Sequence, residues 1–106
     1  MAINVVNAGE VYYRLARKRS QEEAVAFVAG LGAMGIDVLP APNSLVLEAA
    51  DLKSRYPISH PGAFAAATAI RERAPLVTGD TELASLSRAG QLDIEWLVSP
   101  PPFRPR

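Results

Sequence analysis

Two carboxylates carry the chemistry that this sequence suggests. Asp80 closes the run Pro75-Leu76-Val77-Thr78-Gly79-Asp80, in which a short apolar strand leads straight into Thr-Gly-Asp. Glu10 closes a second apolar run, Ile3-Asn4-Val5-Val6-Asn7-Ala8-Gly9-Glu10. Open α/β sheets bind their ligands at the carboxyl ends of the strands. Two acids in such places suggest a metal site for phosphate chemistry, because hard cations take oxygen ligands. Each acid also has a plainer role open to it. Glu10 follows Asn7 at the spacing of a capping box, and Asp80 is placed to cap a helix starting at Thr81.

The elements that must position these acids alternate along the chain. Ala2 to Val6 reads as a short buried strand, Asn7 as a helix cap, and Ala8 to about Arg19 as a helix with Val11, Leu15 and Tyr12 inward. Ser20 caps a second helix, Gln21 to about Met34, with a stripe of Ala24, Phe27, Val28 and Leu31. Ile36 to Leu39 is a strand. Asn43 can cap a third helix from Ser44 to about Arg55, with Leu45, Val46, Ala49 and Leu52 facing inward. Pro61 suits the first turn of a fourth helix, whose body from Ala63 to Ile70 is rich in small residues. Leu76 to Thr78 forms a third strand, Thr81 to about Ser87 a short helix, and Asp93 to Val98 a closing edge strand. Strands alternating with helices define an α/β fold with a mostly parallel sheet. Two successive helices after the first strand predict a helical hairpin on top of it.

Other polar groups read more blandly. His60, the one histidine, lies in a Ser-His-Pro loop. Glu48 and Asp51 share a helix face that suits solvent. Arg14, Arg17, Lys18 and Arg19 crowd a helix end, where cations complement the macrodipole; the same cluster could meet RNA phosphates or an acidic partner. Tyr12 and Tyr13 read as packing residues rather than a base-stacking platform.

The 106 residues suffice for one domain, placed at 1–98, with a proline-rich tail at 99–106. A hydrophobic content of 49% supports a packed core and argues against disorder. Eleven basic and eleven acidic residues balance, so any attraction to nucleic acid must come from a local patch. Cysteine is absent, which excludes disulfides and thiolate metal sites and fits a cytoplasmic protein. No apolar run reaches the roughly 18 residues that span a membrane, and the N-terminus lacks the pattern of a signal peptide.

Three segments in register resemble a PIN domain, the fold of VapC-type toxins. Ile3 to Tyr13 is similar to the family's second strand and the helix bearing its acid. Tyr56 to Ala69 resembles the segment that starts the helix with the third acid, and Leu76-Val77-Thr78-Gly79-Asp80 the strand and turn with the last. Trp96-Leu97 matches the closing strand. The resemblance implies a ribonuclease in which Mg²⁺ or Mn²⁺ activates water against RNA. Glu10 and Asp80 would then be catalytic and metal-binding, and Thr78 a supporting hydroxyl. An antitoxin protein and a second copy of the chain would be partners.

The sequence departs from that pattern twice. The family opens with a strand ending in Asp and then a helix, and the strand lies centrally in its sheet; this sequence begins near the second strand. The resemblance therefore implies a PIN-like three-layer α/β fold lacking the family's first strand and helix. Gly62 stands where the family carries an Asp. Two function classes follow: a VapC-type ribonuclease, possible in inactive form, or a non-catalytic PIN-like interaction or dimerisation module. Exposed strand edges would favour self-association.

Overall fold

The first turn of the chain shows how local chemistry sets an element boundary. Asn4 is extended, with φ −72° and ψ 145°, and its side-chain oxygen accepts a hydrogen bond from the Val6 amide at 2.9 Å. Its Nδ2 donates to the Pro40 carbonyl at 3.2 Å. Asn4 is the cap, so strand β1 stops at Ala2–Asn4 and helix α1 runs Val5–Lys18. The expected cap at Asn7 is thus displaced by three residues. Asn7 and Glu10 lie inside the helix, and the capping-box role of Glu10 falls away. The β-branched Val5 and Val6 enter the helix despite their strand preference, because the cap overrides propensity.

The computed structural model describes residues 1–97. The expected tail at 99–106, and Val98 at the end of the expected last strand, lie outside the described residues. After α1 come α2 (Gln21–Gly30), a 3₁₀ turn (Gly32–Met34), β2 (Asp37–Leu39), α3 (Asn43–Arg55) and α4 (His60–Glu72). Then follow β3 (Leu76–Thr78), a second 3₁₀ turn (Thr81–Leu83), α5 (Ala84–Arg88) and β4 (Ile94–Trp96). Helix α1 and α2 form the expected hairpin, joined at Ser20, whose hydroxyl accepts from the Glu23 amide at 3.1 Å. Gly35 takes the left-handed conformation, φ 74°, that ends the following turn. At α3 the expected Asn43 cap is not made; Asn43 is the first helical residue, Pro42 precedes it, and no side chain caps this end.

Among the described residues all strand pairing is parallel, as expected, but it falls into two separate pairs. β1 pairs with β2 in the register Ala2–Asp37, Ile3–Val38, Asn4–Leu39. β3 pairs with β4 as Leu76–Ile94, Val77–Glu95, Thr78–Trp96. β1 and β3 both lie against α4, and each keeps an edge that pairs with no described strand. With two strands per pair every strand is an edge. Burial of parallel strands needs helices on both faces and neighbours on both sides. Accordingly Ile3, Leu76 and Ile94 are only half-buried, and Val38 and Val77 are exposed, where the sequence suggested buried strands.

The core is instead helical. Leu45, Ala49 and Leu52 of α3 meet Ala63, Phe64, Ala66 and Ala67 of α4, and Ile58, Leu83, Leu86 and Leu92 complete the cluster. The alanines let α3 and α4 approach closely, which the composition of α4 anticipated. Two expected inward residues, Val28 and Val46, are exposed. No helix among the described residues is long and apolar enough to cross a membrane.

Candidate functional site

The start of α4 is where the chemistry-bearing segments meet. Ser59 caps this helix, its hydroxyl accepting from the Gly62 amide at 3.1 Å. From the α1 side, Asn7 donates through Nδ2 to the Pro61 carbonyl at 2.8 Å. The Oδ1 of Asn7 is buried and has no hydrogen-bond partner among the described residues. From the β3 side, Glu82 reaches the same turn. Its Oε2 accepts from the Ser59 amide at 2.9 Å and from the Ser59 hydroxyl at 2.6 Å.

Asp80 joins this arrangement through its backbone neighbours. The Thr78 hydroxyl oxygen accepts from the Asp80 amide at 3.1 Å. The Asp80 Oδ1 in turn accepts from the Glu82 amide at 3.1 Å, which starts the 3₁₀ turn Thr81–Leu83. Asp80 therefore does make the helix-cap bond suggested by its position. The result is a continuous relay, Thr78 to Asp80 to Glu82 to Ser59 to Gly62. It links the carboxyl end of β3 to the amino end of α4. Leu83, 2% exposed, anchors the turn in the core.

Gly62 is buried, and the relay explains what its missing side chain does for the site. A Cβ at residue 62 would lie 2.5 Å from Glu82 Oε2, 3.0 Å from the Ser59 hydroxyl and 3.4 Å from Leu83. The space that a side chain at 62 would enter holds the Glu82 carboxylate. Sequence reasoning passed over Glu82 and Ser59. The visible signal was a second acid two residues after Asp80, followed by an apolar Leu83.

Glu10 stands apart from the relay. It lies on α1 one turn beyond Asn7, and its Oε2 accepts from Arg14 Nη2 at 3.2 Å. This is the favourable order for a pair four residues apart on a helix. With 60% of the Arg14 side chain exposed, solvent screens the attraction and little stability comes from it. Interaction with Tyr13 first, and the Glu10 charge second, hold the Arg14 guanidinium above its ordinary value. No hydrogen bond joins Glu10 to Asp80, Glu82 or Ser59 among the described residues.

The chemistry of the donor set bears on the expected metal. Among the described residues no three Asp, Glu, His or Cys side chains lie close enough together to hold a metal ion. Glu10, Asp80 and Glu82 form no such group; Mg²⁺ is usually held by one or two carboxylates, with waters and substrate phosphates completing its shell. The bland expectations hold elsewhere. Asp51 is paired to Arg55 at 2.9 Å, and Glu48 to Arg71 at 2.9 Å, on exposed helix faces. His60 is exposed; it opens α4 rather than lying in a loop, and meets Phe64 edge-on at 5.2 Å. A groove of about 390 Å³ between α3 and α4 is lined by Leu47, Asp51, Arg55 and Ile70 among others, and none of the three site acids borders it.

Short parallel strands packed against helices define an α/β protein. The chain belongs to the PIN domain family, whose model matches residues 1–89. PIN domains generally use divalent metal ions, and RNA or antitoxin proteins are common partners. No curated protein and no solved structure was found to match the chain.

Proposed function

We propose that this chain is a PIN domain of the VapC toxin type, a cytoplasmic protein of a lineage that cleaves RNA phosphodiester bonds. Glu10 and Asp80 are its active-site acids, and Thr78 supports Asp80. One observation carries this reading. β1 runs into the helix bearing Glu10, β3 runs into Asp80, and both segments converge on the start of α4. That is the side on which parallel strands present ligands. Thr78 orients the Asp80 backbone through its hydroxyl. Glu10 and Asp80 would hold a divalent ion, which would supply the activation of water, with waters and substrate phosphate completing its shell.

The test is cleavage of structured RNA in Mg²⁺ or Mn²⁺, with a Glu10→Ala/Asp80→Ala double variant alongside. Cleavage that disappears in a folded double variant supports the reading. Equal cleavage by both proteins removes it.

A second reading is favoured by the unpaired edges that β1, β2, β3 and β4 each keep among the described residues. Here the domain is a non-catalytic interaction or dimerisation module that binds a second copy or an antitoxin protein. Absence of cleavage together with a sedimentation mass that stays dimeric on dilution would select it. A monomer without cleavage would count against both.

A further inference from the structure

We propose that Glu82 is the positioning residue of this site and that Gly62 provides the space its carboxylate occupies. The effect on function rests on the reading of Asp80 as an active-site acid; the coupling itself does not. Asp80 is exposed and has no direct bond to α4. Its side chain holds the amide of Glu82, and the carboxylate of Glu82 is held by two donors of Ser59. Glu82 is thus the residue through which hydrogen bonding ties Asp80 to α4.

Charge-assisted bonds such as these, near 2.6 and 2.9 Å, are stronger than neutral ones. Glu82 also sits at a helix start, where a negative charge is favourable. The arrangement works only without a side chain at 62. A Cβ there would stand 2.5 Å from the Glu82 oxygen, well inside contact distance. That oxygen ends a flexible side chain, so an added methyl would push it off Ser59 instead of moving the backbone. Residues 62 and 82 therefore exclude one another: the start of α4 takes a side chain at 62 or the carboxylate of 82. Leu83, buried beside Glu82, anchors the turn in the core without the carboxylate's help, so Glu82→Ala is expected to fold.

Two measurements on the full chain test this. The first is a stability cycle by urea unfolding of wild type, Gly62→Ala, Glu82→Ala and the double variant. Gly62→Ala is expected to destabilise the wild type and to be neutral or stabilising in the Glu82→Ala background, with non-additivity of about tenfold in the unfolding constant. The second is amide hydrogen exchange and shift by NMR. Glu82→Ala should speed exchange severalfold not only at Ser59 and Gly62 but also at Asp80 and residue 82, and Glu82→Gln should restore most of the protection. Additive stabilities, or a disturbance confined to Ser59 and Gly62, would overturn the proposal and leave Glu82 a cap for α4. The cleavage assay separates the two readings. If Asp80→Ala cleaves like wild type, the active-site reading fails while the cycle and the exchange still judge Glu82. If Asp80→Ala abolishes cleavage and Glu82→Ala leaves it intact, the positioning role fails alone.

Discussion

Glu10 and Asp80 are held in place by different means. Glu10 is carried by a 14-residue helix, and its bonded partner, Arg14, lies on that same helix. Asp80 sits between a three-residue strand and a 3₁₀ turn, and its place depends on Thr78, Glu82 and Ser59. Helix α1 has a single buried residue, Ala8, whereas the Asp80 turn is bolted to the core by Leu83. An acid on a regular helix is placed by local hydrogen bonding. An acid in a short turn needs tertiary contacts, and here a second acid supplies them.

The largest expected effect breaks the Asp80 side at its anchor. Leu83→Ala should cost about 2–5 kcal/mol by urea unfolding, since a buried leucine leaves both lost transfer energy and a cavity. Leu15→Ala on α1, half-buried at most, should cost less. A smaller effect tests the link from α1 to α4. Asn7→Ala removes the bond to Pro61, and should cost about 0.5–1 kcal/mol, because it also removes a buried oxygen with no partner. A loss as large as that of Leu83→Ala would mean that α1 is held as tightly as the Asp80 turn. The smallest effect is at Arg14. Arg14→Ala should leave the unfolding midpoint unchanged, as the pair with Glu10 is solvent-screened. A clear drop that vanishes in a Glu10→Ala background would show that the Glu10–Arg14 pair is worth more than a solvent-screened pair.

Much of the fold was legible along the chain. The order of elements, the hairpin of α1 and α2, the small residues of α4 and the parallel sense of the strands follow from periodicity, caps and composition. The start of α1 did not, because Asn4 and Asn7 are equally good caps as residue types. Only the reach of Asn4 to Pro40, 36 residues away, selects the first. The exposure of Val28 and Val46 escaped for a similar reason: an apolar stripe shows which residues can be buried, and the neighbouring elements decide how wide the buried strip is.

For the site, Glu10 and Asp80 could be picked out from their neighbours in sequence, and Thr78 and the glycine at 62 only through the resemblance to PIN domains. Their relation could not. By itself the sequence determined the residue types at the strand ends and the local bonds they make, since a Thr-Gly-Asp turn and a helix pair four residues apart need only nearby atoms. The tertiary structure alone decided that Glu82, 23 residues from Ser59, lays its carboxylate across the start of α4 in the space left by Gly62. Contacts between segments far apart in the chain depend on how α4 packs against its neighbours, and no local pattern encodes that distance.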